Sequence, residues 1–174
     1  NIKEVTDKFQ VAQSKMVLGF KAESFDEAVM NMAIALYGGT PSSKLFKNVR
    51  EKLSLCYYCA ARLNTATCSV KVDCGVENEN ITKAKDEILR QLELMKNGEI
   101  TDSEVEETKL ALCNSLKSIA DSPSTLRGYY LTRILGGDLQ SPDERIEKIS
   151  NVTKEQIIGA VQGLTLDTVY VLTG

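Results

Sequence analysis

Apolar and polar positions alternate over short stretches of this chain and recur at helical spacing over most of the rest. From Gln13 to Phe20 the side chains of Met16, Leu18 and Phe20 fall on every second position, which predicts a strand with one buried face. Cys68, Val70, Val72, Cys74 and Val76 repeat that pattern, with Ser69, Lys71 and Asp73 facing the other way. A strand over Leu55 to Leu63 precedes them through a turn at Asn64-Thr65, and a last strand is predicted near Thr168 to Thr173. One apolar and one polar face per strand is the signature of an antiparallel sheet covered on one side.

Between the strands the 3.6-residue period takes over. Ser24 and Glu27 read as a capping box ahead of Val29, Met32, Ala33 and Leu36, and Gly38-Gly39 ends that helix after Tyr37. Thr40-Pro41 opens the next helix, which contains Leu45, Phe46 and Val49 and ends near Leu53. Ile81, Ala84, Ile88, Leu92 and Met95 form a stripe that stops at Asn97-Gly98. Thr101 and Glu104 cap a helix carrying Val105, Thr108, Leu112, Leu116 and Ile119. Ser122-Pro123 starts a helix that ends at Gly136-Gly137, and Ser141-Pro142-x-Glu144 and Thr153-x-x-Gln156 start two short ones. The order β-α-α-β-β-α-α-α-α-α-β has no βαβ repeat and no Gly-rich phosphate loop. It predicts an α+β fold, a mostly antiparallel sheet with helices packed on one face, formed by residues 1–174 as a single domain.

Composition narrows the function classes. With 43% apolar residues and a net charge of −3, the chain of 174 residues has the means to bury one core. No apolar run approaches the ~20 residues of a membrane-spanning helix. The first ten residues, NIKEVTDKFQ, are too polar for a signal peptide. The slight acidity and the lack of a basic run argue against a nucleic-acid surface. The chain contains no histidine, so it cannot by itself hold a His-based zinc site, a Ser-His-Asp triad or a Cys-His pair. The five cysteines, odd in number and irregular in spacing, read as reduced thiols of a cytoplasmic protein.

Five groups invite chemical readings. Cys56-Tyr57-Tyr58-Cys59 matches C-x-x-C, but on a regular strand positions i and i+3 face opposite sides, so the two thiols are expected to be ordinary core residues and not to share a metal ion. On this ground the chain is expected to bind no stoichiometric zinc. Cys68 and Cys74 share a face but lie ~20 Å apart in an extended strand, too far for a disulfide, and read as core. Gly136-Gly137-Asp138 reads as a helix stop rather than an anion loop, and Glu104-x-Glu106-Glu107 as acidic residues favoured by a helix dipole. Arg50 and Tyr57 are the remaining pair. A tight helix-to-strand turn between them can bring a guanidinium and a phenol to the same end of the sheet, facing one ligand.

The run Gly38-Gly39-Thr40-Pro41-Ser42-Ser43-Lys44-Leu45-Phe46-Lys47-Asn48-Val49-Arg50-Glu51-Lys52, followed by Leu55-Cys56-Tyr57, resembles the C-terminal half of the pitrilysin/insulinase family of zinc peptidases. There a helix of the form S-x-L-F-x-x-V-R-E-K leads through G-L-x-Y into a strand. Leu135-Gly136-Gly137, Ser141-Pro142 and Val152-Thr153-Lys154-Glu155 resemble its later helices, so the likeness covers nearly the whole chain. The glycine that usually precedes the leucine is Ser54 here.

The resemblance implies two α+β halves closed around a peptide-binding chamber. The N-terminal half, or a partner subunit, carries H-x-x-E-H, the zinc and the general base. The C-terminal half supplies an Arg and a Tyr, which correspond to Arg50 and Tyr57, for binding extended peptide and supporting the transition state. No catalytic residue and no metal ligand is expected in this chain alone. Two rival readings stand beside this one: a non-catalytic scaffold subunit of the same family, and an unrelated α+β module with a ligand on its sheet.

Overall fold

A computed structural model describes residues 2–22 and 24–174. Five strands form one sheet in the order β1-β5-β2-β4-β3: β1 (Lys3–Lys8), β2 (Ser14–Lys21), β3 (Cys56–Asn64), β4 (Ser69–Val76) and β5 (Thr165–Thr173). The pairings β5/β2, β2/β4 and β4/β3 are antiparallel, and β1 runs parallel to β5 at one edge. The α+β class and the mostly antiparallel sheet are as the alternation requires. β1 has no counterpart among the predicted strands. All but one of its residues are exposed, so it carries no apolar alternation, and it is held by backbone pairing along one side only.

The covered face is built from every second residue of the central strands. Met16, Leu18 and Phe20 of β2 lie beside Val70, Val72, Cys74 and Val76 of β4, each no more than 2% exposed. Against them pack α1 (Glu27–Ile34), α2 (Ile81–Lys96), α3 (Asp102–Lys117), α5 (Pro142–Ser150) and α6 (Lys154–Gln162), while α4 (Pro123–Leu135) has no fully buried residue. Three capping boxes form as predicted, at Thr101/Glu104, Ser141/Glu144 and Thr153/Gln156, and Ser122 caps α4 ahead of Pro123. Among the described residues no helix is long and apolar enough to cross a membrane.

The first two helices depart from expectation. Asp26, not Ser24, caps α1: its carboxylate accepts from the Val29 amide at 3.0 Å. A carboxylate directly before the helix satisfies the amide that the capping-box pattern assigned to a serine two residues earlier. Nor does α1 stop at Tyr37; it widens into a π-helix over Ala35–Gly39. Pro41 and Ser42 form a turn rather than the first helical positions, and a second π-helix follows over Leu45–Lys52. Met32 through Gly38 are all buried, and Tyr37, fully buried, donates to the Ile88 carbonyl at 2.8 Å. Gly38 is where this segment meets β3. A Cβ there would sit 2.7 Å from the Ala61 amide nitrogen and 2.8 Å from both the Ala61 Cβ and the Leu45 Cδ1.

An ion cluster ties α1 to α4 and α5. Arg133 forks onto both carboxylate oxygens of Glu27 at 2.8 and 3.2 Å, reaches Asp138 at 2.8 Å, and Arg145 adds a contact to Glu27 at 3.0 Å. Burial pushes the Glu27 carboxyl up, but the Arg133 hydrogen bond and the charges of Arg145 and Arg133 outweigh it and hold the group below its ordinary value.

Gly38→Ala is expected to lower stability by about 1–3 kcal/mol through overpacking against β3, read as a lower urea midpoint at unchanged slope. Because the folded-state pKa of Glu27 is depressed, its contribution is complete above the ordinary value of 4.5 and is lost as pH falls through the folded value. Glu27→Gln is therefore expected to cost about 1–2 kcal/mol at pH 7 and much less at pH 3, measured as the difference in urea midpoint from the unsubstituted chain at each pH.

Candidate functional site

The second π-helix ends beside the start of β3, and the turn between them is tight. The Leu53 amide bonds back to the Asn48 carbonyl at 3.2 Å and the Leu55 amide to the Val49 carbonyl at 3.0 Å. Closing the chain this sharply puts Ser54 at φ +50°, in the left-handed region that glycine occupies without strain. The backbone therefore keeps a glycine-like conformation although a serine stands there.

This turn brings Arg50 and Tyr57 to one place. Both are exposed, and both border a hollow of about 410 Å³ whose other walls are Ser54, Leu55, Cys56, Glu77 and Asn80. Arg50 lies over the Phe46 ring with its Cζ 4.6 Å from the centroid, a cation–π contact that engages the face of the guanidinium and leaves its edge donors available. The Tyr57 hydroxyl donates to the Glu77 carboxylate. That hydrogen bond, then partial desolvation and the Glu77 charge, hold the phenol above its ordinary range, so it is a neutral donor at neutral pH. Neither Glu77 nor Asn80 stands out in the sequence. Glu77 directly follows Val76, which pairs with Cys56, so cross-strand register is the signal that places it here.

The cysteines do not lie as alternation predicts. Cys56 pairs with Val76, Tyr58 with Gly75 and Cys59 with Cys74, so Tyr57 is an extra residue with no partner on β4: a β-bulge. Paired residues share a face. Val76 and Cys74 are two apart on the buried side of β4, so Cys56 and Cys59 both face inward despite being three apart in sequence. Alternation separates the two thiols only on an unbroken strand, and this strand is broken between Cys56 and Tyr58. The sulfurs of Cys56, Cys59 and Cys74 all lie within 4.8 Å of one another. Hydrogen bonds from Cys59 and Cys74 hold the Cys56 thiol well below the usual range, while the same sharing, with burial, pushes Cys59 and Cys74 up. Cys68 is not a core residue either. It closes the β3–β4 turn at φ +46° and is half-buried. All five cysteines are free thiols.

Known proteins share this architecture and part of this sequence. Residues 2–112 match the peptidase M16 inactive domain. The chain is 34% identical over 177 residues to the "Probable inactive metalloprotease YmfF" of Bacillus subtilis (strain 168), a match covering 99% of this chain and 41% of that protein. It is 26% identical over 170 residues to the "Uncharacterized zinc protease YmxG" of the same organism, covering 92% and 41%. The crystal structure of a conserved protein from Enterococcus faecalis V583 superposes with a TM-score of 0.89 at 30% identity, covering all of this chain and 42% of that one. The chain thus spans about two fifths of the length of the relatives it matches.

Ser54→Gly is expected to raise stability by about 0.5–1 kcal/mol, since relief of the left-handed strain outweighs the entropy of a freer unfolded chain. Chemical denaturation of the two forms measures it, and an unchanged or lower midpoint would mean that the serine side chain compensates locally.

Proposed function

We propose, for a chain that belongs to the peptidase M16 family through its inactive C-terminal domain, a supporting role in peptide hydrolysis: Arg50 and Tyr57 hold an extended peptide for a zinc centre carried by a partner half-domain or subunit. The observation that carries this reading is the shared hollow. Two residues seven apart, on a helix and on a strand, border one exposed depression at the end of the sheet.

A catalytic zinc does not fit this chain's side of the chamber. With no histidine in the sequence there is nothing to build H-x-x-E-H, and no step is assigned to a metal held here. What this chain supplies is donors. The Tyr57 hydroxyl is suited to a carbonyl oxygen on which negative charge develops. The Arg50 guanidinium, stacked on Phe46, is suited to a neighbouring peptide carbonyl, which its planar fork of donors can meet. Glu77 holds the phenol in the meantime and lies where it can also meet a cationic or amide group of the peptide.

The scaffold reading has an observation of its own: the relative at 34% identity is named as an inactive metalloprotease. The two readings part on one experiment. In the assembled peptidase, containing this chain and the half that carries the zinc motif, Arg50→Ala and Tyr57→Phe are each expected to lower kcat/KM for a peptide substrate by about tenfold to a thousandfold, with Tyr57→Phe acting mainly on kcat. Turnover that is absent from the unsubstituted assembly, or unchanged in both variants, would leave the scaffold role.

A further inference from the structure

The three-thiol cluster under the hollow is not used by the proposed function. We propose that Cys56, Cys59 and Cys74 form a binding site for one soft, thiophilic metal ion, open toward the Arg50/Tyr57 hollow.

The donor set decides the class of ion. Three sulfurs converge, and no carboxylate belongs to the group, which excludes the hard cations that want oxygen. Thiolates about 2.3 Å from a zinc-like ion stand about 4 Å from one another, and the three sulfurs here already lie within 4.8 Å, so small rotations of three short side chains complete the site. The backbone is already arranged for this. Cys59 and Cys74 are a cross-strand pair, and the bulge at Tyr57 turns Cys56 onto the same face. A bulge sacrifices ladder pairing at the point where it sits; here it assembles three ligands that a regular strand would divide between two faces.

Access and charge agree with the geometry. Cys74 is fully buried and Cys59 is 5% exposed, whereas Cys56 is only half-buried and lines the hollow, so an ion has an entry side and a closed side. A divalent ion with three thiolates leaves one net negative charge, and Arg50 on the same hollow lies where it offsets that charge. The cluster read as packing alone would be three small apolar groups filling a gap, and that is what the experiment must distinguish.

The reduced, metal-free chain is titrated anaerobically with cadmium(II), following the sulfur-to-metal charge-transfer band. Alkylation of Cys56 by iodoacetamide is followed with and without the ion. One equivalent is expected to saturate the band, slow Cys56 alkylation at least tenfold and raise Tm; zinc(II) should displace cadmium, and magnesium should do nothing. Cys56→Ser, which leaves the two fully packed thiols in place, is expected to weaken binding at least tenfold, while Cys68→Ser and Cys113→Ser leave it unchanged. A band that never reaches one equivalent, that survives Cys56→Ser, or that leaves Cys56 alkylation as fast as before would overturn the site. The alkylation measurement needs no variant, so a Cys56→Ser chain that fails to fold does not shelter the proposal.

Discussion

Tyr57 is one residue more than the ladder between β3 and β4 can pair, and the rest of the site follows from how that excess is absorbed. From Tyr58 onward β3 is locked in register with β4, which is itself locked to β2 through eight paired positions, so no slip along the strand is available to accommodate it. The excess is expelled as a bulge at the first residues of β3, next to the turn that Ser54 closes. The expelled residue is the exposed phenol of the hollow, and its neighbour on one side is the thiol that joins the cluster beneath. The outward phenol and the inward thiol are two consequences of one register constraint.

A second constraint fixes what stands across the hollow. The helical segment before the turn has to come close enough to β3 that Gly38 has no room for a side chain against Ala61, and Leu45 fills the space beside it. This anchors the π-helix that carries Arg50 to the strand that begins at Cys56. The guanidinium and the phenol are therefore placed by backbone contacts deep in the core, although both side chains lie at the surface. Stacking on Phe46 and bonding to Glu77 settle only their final orientation.

Much of this was legible in the residue order. The alternation in Gln13 to Phe20 and in Cys68 to Val76 marked the two central strands because one face of each is covered, and that is the condition under which hydrophobic period reports a strand. Helix starts were legible wherever a hydroxyl and a carboxylate or carboxamide close a box, as at Thr101, Ser141 and Thr153, since the signal is local chemistry. What escaped is what local pattern does not encode. β1 has no buried face, so nothing marks it except the partner strand from the far end of the chain. The Asp26 cap was hidden behind the Ser24 box because both motifs fit the same few residues and only the helix's real first turn decides between them. The π-helical widening at Ala35 and Leu45 leaves the apolar count unchanged while shifting which residues face the core. The bulge is the most consequential omission. Alternation is a rule for an uninterrupted strand, and one unpaired residue reverses the face it assigns to every side chain beyond, here the relation of Cys56 to Cys59.

In the free chain the Tyr57 hydroxyl is committed to Glu77 and the Arg50 guanidinium to the Phe46 ring, which bears on how the hollow would receive a ligand. Both ties lie at the surface, where water competes for the same groups and each contact is modest. Such ties are strong enough to select one rotamer and weak enough to yield to a peptide that brings its own carbonyl groups and excludes water. The stacking contact need not be broken at all, because it engages the face of the guanidinium and leaves the edge donors available. Under the proposed peptide-binding role the Tyr57–Glu77 bond would be exchanged, a donor kept and an acceptor replaced, so little desolvation would be added at the phenol. An arrangement in which each group is held but not consumed is what the proposed peptide-binding role would require. The constraint that places the two exposed residues sits elsewhere, in the bulge and in the packing at Gly38.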